Sequence, residues 1–285
     1  MTSFVTEWTT VLPRITITFP SGAGSNYDVD WGDGSSIETI TTALPDHKYK
    51  VAGVYPVTIT GTCPVWDAST ILAEHRARLT DVTAWGTTGF TTLSNAFFDC
   101  PNVTVSATDG ATAFSSVTTM ESMFQDAILA NPGTVGWDVS SVTNMSNMFN
   151  GASVANPNIS GWNVSLVTTM ESMFQDAVAA NPSINALTIS SLTNMYLMFN
   201  GATTANPAMD SLDISSVTNM VSMFTSSAFS DINYNDAIDY WATLTLQNSV
   251  SFDAGPAKIC LMNPNKSYIV STYSWTITDS GSSTG

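Results

Sequence analysis

The carboxylates are the residues of this sequence best placed to do chemistry. Glu121 with Asp126, and Glu171 with Asp176, fall at equivalent positions of two identical segments, Val117 to Ala127 and Val167 to Ala177, both reading VTTMESMFQDA. Two carboxyls facing each other across a cleft are what glycosidic hydrolysis requires. Glu121 and Glu171, two coils apart, are the pair that the enzymatic alternative, a carboxylate-dependent polysaccharide hydrolase, would use. A flat or convex repeat face offers no evident cleft, so the expectation is a non-enzyme without catalytic residues. The two acidic pairs then reflect duplication of a two-coil unit, with an acidic stripe for binding as the competing reading.

A second acidic group, Asp28, Asp30 and Asp33, brackets Trp31 and could offer oxygen ligands to Ca²⁺. Its spacing falls short of the helix–loop–helix calcium pattern, and Asp in a tight turn commonly bonds its own backbone. No metal and no cofactor are expected, with calcium as the alternative. His47 is read as bonding within a strand framework and His75 as part of a solvated turn or helix; neither adjoins a nucleophile signature. Phosphate-cradling glycine loops are absent. Trp137 and Trp162 lie 25 residues apart, with Leu187 and Leu212 at the next two equivalent positions. Exposed, such a pair would hold a sugar ring; buried, it belongs to the core, which is the preferred reading.

These residues need a scaffold, and the scaffold is a repeat. Phe114-Ser-Ser-Val-Thr-Thr-Met120 recurs as segments starting at Val139, Val164, Ile189 and Ile214, each 25 residues after the last and each followed by a second Met and a Phe. In one unit Val142, Met145, Met148, Phe149 and Ala152 fall at spacings of three and four, which predicts a short helix. Asn156-Pro157 punctuates a turn, and Ile159 to Val164 alternates like a short strand. A single coil buries too little to offset the entropy of ordering it, so coils must stack and share a core. The Met and Phe stripe is that core, not a ligand site. The expected fold class is an α/β repeat solenoid with one short helix and one short strand per coil.

The flanks differ. Ile15 to Phe19, Tyr27 to Trp31 and Tyr55 to Thr60 alternate as strands and predict an N-terminal all-β sandwich over 1–62. Residues 63–110 read as a connector with a degenerate first coil at Phe90 to Cys100, 111–232 as the five repeats, and 233–285 as a cap and tail. Within the cap, Tyr234 to Trp241 predicts a helix, Tyr268 to Thr278 a last strand, and Asp279 to Gly285 a fraying end.

Composition narrows the partners. Seven Lys and Arg face 23 Asp and Glu for a net charge of −16, with no basic residue between Arg78 and Lys258. Such a surface repels phosphate backbones, which argues against nucleic-acid binding. No stretch approaches the length of apolar sequence that spans a bilayer. Cys63, Cys100 and Cys260 form no CxxC pair and read as small buried hydrophobes, with one unassignable disulfide left open.

Val29-Asp-Trp-Gly-Asp-Gly34, with His47, Tyr49 and Ala52-Gly-Val-Tyr-Pro-Val-Thr-Ile59, resembles the polycystic-kidney-disease (PKD) domain. The S-x-V-T-x-M-x-x-M-F units, with their Asn-Pro turn and Gly-Trp-x-V-S, resemble the BspA-type leucine-rich-repeat family of bacterial and phage surface proteins. The resemblance implies a β-sandwich leading into a right-handed solenoid used for adhesion or display. The N-terminus has neither the basic start nor the apolar h-region of a secretory signal. A surface-type protein without an export signal is expected on a virion, as a tail-fibre or capsid-decoration module, with a bacterial cell-surface adhesin as the alternative. Its partners would be a host-surface glycan or protein, or other virion subunits, and a homo-oligomer is compatible. Trp137, Trp162, Glu121, Asp126, Glu171 and Asp176 are the candidate binding surface.

Overall fold

The computed structural model describes residues 2–110, 113–261 and 263–283. Met1 of the N-terminal segment, Ala111 and Thr112 at the start of the predicted repeats, Met262, and Thr284 and Gly285 of the predicted tail lie outside the described residues.

The first strand, β1 (Phe4–Thr10), buries Phe4, Thr6, Trp8 and Thr10 and leaves the alternate residues half-buried, as its period-two sequence requires. It lies antiparallel to β6 (Gly53–Thr62), with Phe4 opposite Ile59 and Trp8 opposite Tyr55. On the far side of β6 come β3 (Asn26–Asp30) and β4 (Glu38–Ile40), also antiparallel. A separate two-stranded sheet, β2 (Ile15–Thr18) with β5 (Asp46–Tyr49), lies over it. Trp8, Phe19 and Trp31 fill the space between, with ring centroids 4.5 and 4.7 Å apart.

The sheet does not end at residue 62, where the sequence reading placed the end of a sandwich. The other edge of β1 pairs with β7 (Leu79–Ala84), and β7 pairs in parallel with β8 (Thr104–Val105). An unpaired β1 would have exposed a row of backbone donors and acceptors. The N-terminal sheet therefore runs directly into the side of the repeat region, and one continuous core serves both.

The expected α/β repeat solenoid is not what forms. Among the described residues between β8 and α2 (Asp231–Trp241) there is no helix and no multi-residue strand, and the regular structure elsewhere is mostly strand. Each 25-residue unit is instead a train of tight turns. Within one coil, the amides of Met123, Gln125 and Ala127 donate to the carbonyls of Met120, Ser122 and Phe124. The intervening amides of Met120, Ser122, Phe124 and Asp126 donate to Asn144, Ser146, Met148 and Asn150 of the next coil, at 2.8–3.0 Å. Alternate residues thus bond inward and onward, which leaves no amide for the i→i−4 pattern of an α-helix. Left-handed residues recur at fixed places, Ser122 and Asp126 (φ 53° and 59°), then Asn147 and Gly151, then Ser172 and Asp176. The predicted strand at Ile159 to Val164 is likewise a turn, closed by the Trp162 amide donating to the Ile159 carbonyl, and a second turn begins at Val164. Apolar side chains three and four apart suit such turns as well as they suit a helix.

The coils stack in register. Parallel single-residue bridges join Thr119, Asn144, Thr169, Asn194 and Asn219, and a further bridge joins Met220 to Phe252. Phe97, Phe124, Phe149, Phe174, Phe199 and Phe224 form a column with centroids 5.2–5.6 Å apart and planes within 15°. The Met pair of each repeat is buried beside it.

The column is closed by Phe229, stacked on Phe224 at 3.9 Å, and by α2, whose Tyr234, Ala237, Ile238 and Trp241 are buried. Beyond α2 the stack continues as β9 (Ser251–Asp253), β10 (Ile259–Cys260), α3 (Asn265–Tyr273), β11 (Thr276–Thr278) and β12 (Ser282–Ser283), with β9 parallel to β11 and β10 parallel to β12. The predicted last strand over Tyr268 to Thr278 is therefore helix as far as Tyr273. A left-handed Ser274 ends that helix, and only the final three residues extend. Within the predicted fraying end, Ser282 and Ser283 form β12 and pair with β10.

Candidate interaction surface

The predicted acidic residues lie along the stack, and the two glutamates are each tied to the following coil. Glu121 accepts from Asn144 Nδ2 at 3.1 Å, and Glu171 from Asn194 Nδ2 at 2.8 Å. Each glutamate of an odd coil is thus matched to an asparagine of the following even coil. Asp126 and Asp176 occupy a left-handed turn position whose equivalents are Asp99, Gly151, Gly201 and Ser226. Asp99 is drawn aside by Arg76, 2.8 Å away, which also donates to the Ile71 carbonyl at 2.6 Å. Burial raises the pKa of the Asp126 carboxyl above its ordinary value, with the charges of Asp99 and Asp176 adding to the effect against a hydrogen bond from Gln125.

Trp137 and Trp162 are 4% and 5% exposed and stack on each other at 6.1 Å and 12°. Trp162 donates from Nε1 to the Thr134 carbonyl. Trp137 packs edge-on against Phe114 and Trp85. They are core, not an aromatic platform. Where the pair gives way to Leu187 and Leu212, an open groove of about 460 Å³ runs past Asn185, Leu187, Ile189 and Asp213. Along it Asn185 donates to Asp210 and accepts from the Ser211 amide, and Asp213 accepts from the Ser215 amide.

The three N-terminal aspartates do not converge. Asp28 accepts from Thr39, Asp30 from the Gly32 amide, and Asp33 from the Ser35 amide and His47. Burial opposes ionisation of Asp33, but the bonds from Ser35 and His47 outweigh it and bring the carboxyl down to about 2. His47 lies flat on Trp31 at 4.5 Å, inside the strand framework. Among the described residues no group of three or more His, Cys, Asp or Glu is arranged to hold a metal ion.

His75 is not a solvated residue. Its side chain is 12% exposed and its Nδ1 accepts from the Thr18 amide at 3.2 Å, tying α1 (Ala73–Arg76) to β2. Cys63, Cys100 and Cys260 are free thiols. Burial pushes the first two up to about 12. No helix among the described residues is long and apolar enough to cross a membrane.

Two features went unread in the sequence. Asn131, Asn156, Asn181 and Asn206 form a ladder in which each side-chain oxygen accepts from the next asparagine's amide, at 2.9–3.0 Å, and Ser230 closes it. The Asn-Pro dipeptide recurring every 25 residues was the available signal. The second is an exposed aliphatic ridge of Ile128, Leu129, Val154 and Val178, each exposed to 41% or more. Ser153 Oγ donates to the Ile128 carbonyl and the Ala179 amide to the Ser153 carbonyl, which places these turns one above the other.

Stacked turns, laddered backbones and a buried aromatic column define a repeat protein built of short coils. The chain belongs to the family described as "Mycoplasma protein of unknown function, DUF285", which matches residues 67–185, 91–211 and 118–241, together more than half of the chain. Membership agrees with the BspA-type resemblance of the repeats; the matched region begins at residue 67 and leaves the PKD-like motifs outside it. Neither the curated proteins nor the solved structures gave a match.

Proposed function

We propose that this chain is a non-catalytic recognition or structural module, displayed on a virus particle or a cell surface, whose coil stack presents a rigid face to its partner. The observation that carries this reading is the burial of every Met and Phe column together with Trp137 and Trp162. The apolar repeat is spent on rigidity, and what faces outward is a set of rows repeated at fixed spacing. Repeat stacks use such extended surfaces to engage partners. The non-catalytic part is supported by Glu121 and Glu171, which sit two coils apart on the same column and are each committed to an asparagine. The acid excess from Asp81 to Asp253 favours a host-surface glycan or protein, or another particle subunit, over nucleic acid. Residues 14–60 serve in this reading as a PKD-like module, supported by the cluster of Trp31, Asp33, His47 and Tyr49.

The test is to expose purified protein to immobilised surface polysaccharides and intact cells, measuring saturable binding and, in parallel, release of new reducing ends. Binding without release is expected. Reducing ends that accumulate with wild type and vanish with Glu171→Gln would overturn the proposal in favour of a hydrolase.

A further inference from the structure

Among the described residues the aliphatic ridge has no partner. Ile128, Leu129, Val154 and Val178 are too large and too exposed to be explained by stability, and three of the coils contribute to it. Contiguous exposed apolar surface of this kind marks an interaction site. Along the chain Asp126 and Asp176 precede the ridge residues of their coils by two positions, and the ladder residues Asn131, Asn156 and Asn181 follow. We propose that this ridge docks a basic amphipathic helix lying along the stack axis. The proposal names a partner class for the display module above and rests on that reading.

Three observations select the occupant. The first is charge: no Lys or Arg lies between Arg78 and Lys258, so nothing in this region neutralises the two carboxylates. A cationic partner meets complementary potential, whereas a second copy of this chain or an anionic lipid surface would meet repulsion. The second is spacing. Equivalent side chains one coil apart are separated by 5.5 Å in the adjacent phenylalanine column, so Asp126 and Asp176, two coils apart, recur at about 11 Å, close to the ~10.5 Å that seven helical residues advance. Lys or Arg at i and i+7 would meet the two carboxylates, with apolar residues at i+3 and i+4 over Leu129 and Val154. An extended strand repeats one face every ~6.8 Å and misses this interval. The third is the backbone. Among the described residues the ridge turns contain no strand, so they offer no sheet edge to which an extended partner could add. Recognition must go through side chains, as when a helix lies in an apolar groove.

The experiment uses the full chain and two synthetic helical peptides of identical composition. One carries Lys at i and i+7 around Leu at i+3 and i+4; the other spaces the lysines at i and i+5. Affinity is read by fluorescence anisotropy at low and at physiological salt. The first peptide should bind at least about tenfold more tightly than its isomer, and more tightly at low salt. Asp126→Asn with Asp176→Asn should remove most of the salt dependence, and Leu129→Asn with Val178→Asn should weaken binding about tenfold, while circular dichroism shows both variants folded. Equal binding of the two peptides, no binding of either, or affinity unchanged in both folded variants would overturn the proposal. So would concentration-dependent self-association in sedimentation that Leu129→Asn with Val178→Asn abolishes, since a second copy would then be the occupant. Reducing-end release in the earlier assay bears on the display reading alone, and leaves these peptide outcomes separately readable.

Discussion

The carboxylate of Asp126 occupies the space in which Gly151, one coil further on, would have to place a Cβ, and Asp176 stands in the same relation to Gly201. Both glycines also hold φ above +70°, where an L side chain is strained. Asp can therefore be followed at this position by Gly, and Gly by Asp or Ser, but Asp followed by Asp requires the first carboxylate to be drawn away. That is what Arg76 does to Asp99, which leaves room for Asp126. The 50-residue beat thus has a steric content beyond its origin in duplication: odd and even coils are complementary shapes.

Gly151→Ala should destabilise the protein by about 2–3 kcal/mol, combining the left-handed strain with the clash against Asp126. In an Asp126→Gly background the same substitution should cost only about 1 kcal/mol, the backbone part alone. Denaturant midpoints of the four proteins of this cycle measure the coupling. Equal costs in the two backgrounds would show that the carboxylate does not occupy that space.

The asparagine ladder predicts a chemical specificity. Asn156→Ala leaves the Asn181 amide without its acceptor and should cost about 1 kcal/mol. Asn156→Asp keeps an acceptor in the same place and should recover most of that loss. Hydrogen exchange at the Asn181 amide reads the bond directly, with faster exchange in the alanine variant and near wild-type protection in the aspartate variant.

Trp162→Ala should cost about 3–5 kcal/mol, because it empties a buried site and ends the stack on Trp137. Leu129→Asn, on the exposed ridge, should change stability by less than about 0.5 kcal/mol. Thermal unfolding separates the two. A Trp162→Ala protein of unchanged stability that lost glycan binding would restore the aromatic-platform reading.

His75 makes stability fall on acidification. Burial chiefly, with Arg78 assisting and Glu74 and Asp46 opposing, lowers its pKa in the folded state, and its Nδ1 must stay unprotonated to accept from Thr18. The unfolded chain takes up the proton first as pH falls below about 6.5. The contribution of His75 is therefore complete above that pH and lost below it. Urea titrations at pH 7.5 and 5.5 should show a larger loss for wild type than for His75→Gln, and equal losses would remove His75 as the cause.

The sequence by itself determined the 25-residue period, the stacking it implies, and which side chains form the core. Self-similar units placed side by side put equivalent residues into equivalent surroundings, so Met145, Met148 and Phe149 could be assigned to the interior from spacing alone. Tertiary structure decided what lies between those residues. Spacings of three and four describe consecutive tight turns as well as a helix, and only the bonds to the next coil, such as Phe124 to Met148, choose between them. It also decided that β1 would reach past residue 62 to pair with β7, because strand partners are set by contacts far apart in sequence. The surface followed the same division. Trp137 and Trp162 could be aligned from sequence, but their burial depended on Thr134, Phe114 and Trp85 closing over them. The ridge at Ile128, Leu129, Val154 and Val178 follows no strict period, and it becomes one surface only once three coils stand in register.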